Sequence, residues 1–465
     1  MARGGGREQG TNHVGGAGWS SDELRVALAF AHQADPGRGV RPGLASLERL
    51  GFRVSALGAR SASLRAPRAL FERVFGTRLK RIGVNPGPAG RGAALTIYYP
   101  PHGAPWAPGP AVGESIQRAY IQWPHIYMDG PVFPPRVAHH HLRLPGDLAS
   151  GLNAARAHRR GVTGRGVRVA VVDSGFALAH PYFRASGLHA RVVLGPGATR
   201  PRADRLGHGT GVLANLLAIA PDAEVVGVKL DDDRGGHGAS LLEGFQTALG
   251  LRPHVISLSV GYDLVEPGSR TPLPRLPNGL AALRAEIEAA VRGGIVVVAA
   301  AGNGHVAFPA MLPGVLSAGG VFMDEHGSMS ASDYASVFTS RPFPGRRSPD
   351  VCGLVGMARN RADYLMLPVP PGSRIDRENA AHDGTGPRDG WAVFSGTSSA
   401  APQVAGVCAL LLQRDPSLTP LQVRNALRRT ARRVRAGRGN PASASGRGER
   451  PRHGLVDAHA ALGAV

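Results

Sequence analysis

At 465 residues, 43% hydrophobic and 19% charged, the chain is long enough for one large core and a smaller second domain, since single cores stop growing at roughly 250–300 residues. The net charge of +21 raises the question of an anionic partner, but Lys80 and Lys229 are the only lysines, so the basicity is arginine set among abundant Ala, Gly and Pro, as a GC-rich coding bias gives. The densest basic stretch, 424–452, holds Arg428, Arg429, Arg432, Arg433 and Arg435 but no aromatic residue on which a base could stack, so no nucleic-acid partner is expected. No stretch approaches the roughly 20 apolar residues of a bilayer crossing, and no membrane association is expected. Cys352 and Cys408 alone make no disulfide framework.

In chain order, residues 1–20 are Gly-rich and expected to be disordered; Met1-Ala2-Arg3-Gly4-Gly5-Gly6 is not followed by the apolar stretch of a secretory signal. An alternating pattern follows over 21–100. Strands are expected over Leu24 to Phe30, Phe52 to Leu57, Ser61 to Leu64 and Ala94 to Tyr99, and helices at Leu44, Leu47, Leu50 and at Leu70, Phe71, Val74, Phe75. The order β-α-β-β-α-β is that of a small α+β ferredoxin-like domain. Residues 101–147 are rich in Pro and poor in periodicity, as a linker or cleavage region would be, and the consecutive His139, His140 and His141 read as exposed loop residues.

From 148 to 465 the pattern changes to α/β. Val167 to Val172, Ala223 to Leu230, His254 to Val260, Ile295 to Ala300 and Val315 to Val321 are short apolar runs, as in parallel strands buried on both faces. Helical patterns separate several of them: Val212 to Ile219, Leu241 to Leu249 and Leu280 to Val291. A doubly wound, mostly parallel sheet is expected, with later helices at Ala401 to Gln413, Leu421 to Arg433 and Gly454 to Leu462. Tyr262 to Asn278 and Met357 to Trp391 read as surface insertions.

Four motifs carry the chemistry. Asp173-Ser174-Gly175 ends the first buried strand, where open α/β sheets place reactive groups, and a carboxylate there can orient a histidine. Gly207-His208-Gly209-Thr210 puts an unobstructed imidazole, suited to taking and returning a proton, at the mouth of an apolar helix. Gly396-Thr397-Ser398-Ser399-Ala400-Ala401-Pro402 offers hydroxyls at a helix start, where free N–H groups favour a nearby oxyanion, with Pro402 expected in the first turn. Asn303, in Ala299-Ala300-Ala301-Gly302-Asn303-Gly304, follows a buried strand and can donate to a developing oxyanion.

In this order the motifs resemble those of subtilisin-like serine proteases (subtilases) over roughly 148–462. The resemblance implies a serine endopeptidase with catalytic Asp173, His208 and Ser398, Ser398 rather than Ser399 being the residue directly after Gly-Thr, and Asn303 in the oxyanion hole. It also implies that Ser259, Val260 and Gly261, opposite Ala300, Ala301 and Gly302, bind a polypeptide substrate as an added strand; their small side chains leave room for a large apolar group. The 21–100 domain then resembles a propeptide, an intramolecular chaperone and inhibitor that self-processing removes, and Phe71-Glu72-Arg73-Val74-Phe75-Gly76-Thr77-Arg78-Leu79 is similar to a segment of sedolisin propeptides. No cofactor or metal is expected. Asp231-Asp232-Asp233 lacks the alternate spacing of a calcium loop, and calcium dependence is not readable. A monomer is expected. Three other readings stay open: a dedicated peptide-processing or ligating subtilase, a sedolisin-type acid protease (which would lack His208), and an inactive binding scaffold.

Overall fold

The computed structural model describes residues 23–30, 41–57, 61–84, 95–99, 116–121, 141–232, 238–266, 271–358, 364–443 and 446–465. Residues 1–20, His139, His140 and most of the expected processing region lie outside these. The chain divides into two units, Met1–Gly130 and Pro131–Val465.

In the first unit, β1 (Glu23–Phe30), α1 (Arg41–Arg49), β2 (Arg53–Leu57), β3 (Ser61–Pro67) and α2 (Arg68–Val74) follow the expected order. Among the described residues, β4 (Lys80–Val84) and β5 (Leu95–Tyr99) then pair only with each other. The main sheet runs β2-β3-β1-β6, with β6 (Ile116–Ile121) antiparallel to β1. The β-α-β-β-α-β path therefore closes on a strand inside the Pro-rich stretch read as linker, while Ala94 to Tyr99, expected as its last strand, belongs to a hairpin. Burial explains the choice: Ile116 and Ala119 join Val26, Leu28, Leu64 and Phe71 in one core.

The second unit is built on a nine-stranded sheet among the described residues. Its parallel centre comprises β7 (Arg168–Asp173), β8 (Ala190–Leu194), β9 (Glu224–Lys229), β10 (Val255–Leu258), β12 (Val296–Ala300), β14 (Leu316–Met323) and β16 (Val351–Leu354). The short β11 (Tyr262–Asp263) and β13 (Ala307–Phe308) pair antiparallel outside it. β15 (Met329–Ala331) runs antiparallel to β14 and carries Ala436–Gly437 at the edge. Buried faces on both sides account for the unbroken apolar runs of β7 and β10.

Two helices run through the core. α3 (His208–Ile219) is buried at every residue after His208, which fits its lack of a polar face. α6 (Thr397–Arg414) packs along it, with Gly406 so near Ile219 and the Leu216 carbonyl that an added Cβ would meet Ile219 Cβ at 2.8 Å. Gln403 ties the pair together, donating to Asn215 Oδ1 (2.9 Å) and accepting from the Leu354 amide (2.7 Å). α4 (Leu241–Gly250), α5 (Ala281–Arg292) and α7 (Pro420–Thr430) begin or end within a few residues of their expected limits. Thr419 caps α7 as its Thr-Pro start requires, and its last turn carries Arg428 and Arg429.

Met357 to Trp391, expected as a surface insertion, lies only partly at the surface: much of 370–389 is exposed, but 365–369 is buried. Leu365, Met366 and Leu367 are wholly buried in a strand between His141–Arg143 and Trp391–Phe394. The backbone amides of Arg374 and Ile375 bond to the carbonyls of Arg205 and Leu206, bracing the turn that leads into α3.

Candidate active site

Asp173 is the last residue of β7 and is fully buried. Its Oδ1 accepts from the Ser174 amide and from His208 Nδ1, both at 2.7 Å, which leaves His208 Nε2 unprotonated in the neutral ring. Gly209 permits this approach: a Cβ there would lie 2.3 Å from the Gly175 carbonyl oxygen and 3.0 Å from Asp173 Cβ. His208 itself keeps 20% of its side chain exposed. Burial opposes its imidazolium, but the Asp173 carboxylate, with smaller help from Asp204 and Asp231, outweighs that and lifts its pKa above the ordinary histidine value.

Asp204, which the motifs do not announce, holds this arrangement from behind. The N-cap of α3 is Gly207 at φ +91°, which offers no side chain to the helix start. Asp204 does so from three residues upstream: Oδ1 accepts from Gly207 N (2.9 Å) and Ser174 Oγ (3.0 Å), and Oδ2 from Thr210 N (3.0 Å) and Thr210 Oγ1 (2.7 Å). Buried Lys229, beside Asp173 in the β7–β9 register, pins the loop before it by donating to the Arg200 and Ala203 carbonyls. Asp204→Ala would strand several of these buried donors. In an Ser398→Ala background, which removes the proposed nucleophile and so limits autolysis, urea unfolding should show a loss of about 3–5 kcal/mol.

Ser398 and Ser399 are separated by environment. Ser399 is fully buried with an unpartnered Oγ, whereas Ser398 is half-buried and lines the cleft. Pro402 lies in the second turn of α6, not the first: the helix begins at Thr397. Without an N–H, Pro402 cannot bond to the carbonyl four residues back, which is that of Ser398. Ser259 Oγ supplies the missing donor at 2.8 Å, and Ser398 Oγ in turn donates to the Ser259 carbonyl at 3.3 Å. No hydrogen bond joins Ser398 to His208 here; such contacts often tighten only when substrate binds.

Asn303 is oriented by Thr397. Its Oδ1 accepts from Thr397 N (2.9 Å) and Thr397 Oγ1 (3.0 Å), and Thr397 Oγ1 accepts from Gly302 N (3.0 Å). With its oxygen engaged, the amide turns Nδ2 toward Gly396, whose φ of +143° and lack of a side chain leave that space open. The Ser398 N–H, in the first turn of α6, has no partner among the described residues.

Ser259, Val260, Gly261, Ala300, Gly302, Asn303, Thr397 and Ser398 line one cleft of about 340 Å³. Ala301 does not; it is fully buried, its amide bonded to the Ala318 carbonyl, because it continues β12 into the sheet's ladder. Gly261 is fixed against Phe308, whose carbonyl oxygen would lie 2.3 Å from an added Cβ.

An acid at the carboxyl end of a parallel strand, an imidazole at one helix start and a hydroxyl at another define the class of α/β proteins that hydrolyse through an activated serine. The chain belongs to the Subtilase family, whose profile matches residues 164–448, more than half of its length. It is 30% identical over 325 residues to subtilisin NAT of Bacillus subtilis subsp. natto, covering 67% of this chain and 70% of that protein. It is 31% identical over 294 residues to subtilisin of Bacillus pumilus, covering 61% of this chain and 90% of that protein. Among solved structures, fervidolysin from Fervidobacterium pennivorans matches with 18% identity and a TM-score of 0.49, over 95% of this chain and 61% of that chain. The protein is a serine-type endopeptidase acting on polypeptides.

Proposed function

We propose that Ser398 is the nucleophile, His208 the general base and then acid, Asp173 its orienting partner, and Asn303 with the Ser398 N–H the oxyanion hole. Ser398 Oγ bonds to the scissile carbonyl carbon as its proton passes to His208 Nε2, and the carbonyl oxygen takes the negative charge. Collapse breaks the C–N bond, the amine leaves with the proton from His208, and water releases the acyl group by the same steps. The observation that carries this reading is the 2.7 Å bond from buried Asp173 to His208, with Ser398 the accessible hydroxyl of its pair. A fluorophosphonate should label wild type at Ser398 and leave Ser398→Ala unlabelled; absence of labelling in folded protein defeats it.

Asn303→Leu keeps the volume and removes the donor. Turnover should fall on the order of 10²–10³-fold with KM little changed, a magnitude known from subtilisin itself, a member of this family. Steady-state kinetics on a chromogenic peptide measure both.

The first unit acts in this reading as a chaperone and inhibitor released by self-processing. Its small α+β sheet, with a core of its own, and its place ahead of the peptidase unit support that role. Wild type and Ser398→Ala should differ in mass and N-terminal sequence, with a cut between about Tyr127 and Asp147 in wild type only; two identical full-length species would refute self-processing.

A further inference from the structure

The cleft beside Ser398 carries a charge that its small-residue walls do not suggest. Asp263, in β11, lines it together with Tyr262, His305, Ala307 and Phe308. Among the described lining residues it is the only carboxylate, and no Arg or Lys is among them.

The carboxylate is held in place. β11 pairs with β13, Tyr262 opposite Phe308 and Asp263 opposite Ala307, and Leu264 N bonds to the Val306 carbonyl. Asp263 Oδ1 accepts from the Val306 amide at 2.8 Å, while Oδ2 accepts no hydrogen bond among the described residues. His305, also in the lining, accepts the Asn303 amide on Nδ1 at 3.1 Å, so its neutral ring carries the proton on Nε2. Apart from His305, the described lining thus offers one carboxylate and no Arg or Lys to answer it.

We infer that this cleft selects a substrate residue with a basic side chain, lysine or arginine, immediately before the scissile bond, with Asp263 as its counter-charge. The inference rests on the proposed role of Ser398, since the same cleft holds both. The Tyr262 ring, 40% exposed and backed by wholly buried Phe308 at 6.4 Å between centroids, gives the aliphatic stem or guanidinium plane an apolar surface, and Asp263 Oδ2 supplies the acceptor. Asp263 is exposed, so an uncharged side chain forfeits this attraction without stranding the carboxylate, and phenylalanine gains nothing from it.

The test compares three peptide p-nitroanilides differing only in Arg, Lys or Phe before the anilide, at pH 8, on the mature enzyme. Asp263→Asn keeps an oxygen for the Val306 amide and loses only the charge; Asp263→Glu retains it. Wild type should cleave the Arg and Lys substrates with kcat/KM at least about tenfold above Phe. Asp263→Asn should lose about 10–100-fold on the basic substrates and hold within twofold on Phe, with partial recovery in Asp263→Glu. The rate of fluorophosphonate labelling, unchanged across the three proteins, verifies an intact nucleophile. Normal labelling with a preference for Phe, or with no selective loss in Asp263→Asn, overturns the inference and spares the reading of Ser398. Wild type that neither labels nor cleaves any of the substrates overturns both.

Discussion

Ser398→Ala should reduce peptide hydrolysis on the order of 10⁶-fold, a magnitude measured for the nucleophile of subtilisin, a relative of this chain. No neighbour can substitute. Ser399 is one residue away but wholly buried, and its Oγ makes no hydrogen bond within the fold, so it reaches neither the cleft nor His208. The remaining rate should still exceed that in water, because Asn303 and the start of α6 are undisturbed and continue to favour the oxyanion. Circular dichroism and unfolding should match wild type, since the hydroxyl makes only a 3.3 Å contact with the Ser259 carbonyl. Active-site titration before the assay excludes contaminating wild type as the source of residual activity.

Asp173→Asn should cost on the order of 10³–10⁴-fold in kcat/KM and move the pH profile as well. A single carboxylate oxygen serves both Ser174 N and His208 Nδ1, so an asparagine placing its carbonyl there keeps the geometry and loses the charge. His208 must be neutral to accept the proton from Ser398, so activity falls as the pH drops through its pKa. In wild type the Asp173 carboxylate, working against burial, holds that pKa above the ordinary value, and the acid limb of kcat/KM should lie there. In the variant burial is unopposed by Asp173, and the limb should move to lower pH. The stability linkage has the matching sign. His208 with a raised folded pKa contributes stability that is complete below its unfolded value and fades as the pH rises through the folded one. An acid limb at the same pH in both proteins would contradict the assigned roles.

The four motifs were legible because each is a local pattern whose spacing survives as geometry: a strand-end acid, an imidazole flanked by glycines, a helix-start serine and a strand-end amide. The parallel centre was legible for the same reason, since strands buried on both faces are written as continuous apolar runs. What the sequence hid is non-local. Asp204 caps α3 across a turn, and nothing in Asp204-Arg205-Leu206-Gly207 marks it as more than loop. Ser259 was read as a wall of the substrate cleft, but its hydroxyl serves Ser398, 139 positions away. Ile116–Ile121 alternates weakly within a Pro-rich stretch, and Tyr364–Pro368 sits in a segment whose Pro, Gly and charged residues mask three wholly buried side chains. Thr397 passes for an ordinary helix-start residue until its two bonds to Asn303 are seen.

Pro402, four residues after Ser398, has a consequence for how the molecule comes to life. A helix formed early and alone would leave the Ser398 carbonyl without a donor, because the group that completes it arrives from Ser259 at the end of a strand in the sheet's interior. Competence is therefore a property of the assembled whole, and a nascent or half-collapsed chain carries a seat for the serine that is not yet finished. An unassembled chain of this endopeptidase therefore cannot cut, however much of its helix has formed, until the sheet brings Ser259 to Ser398.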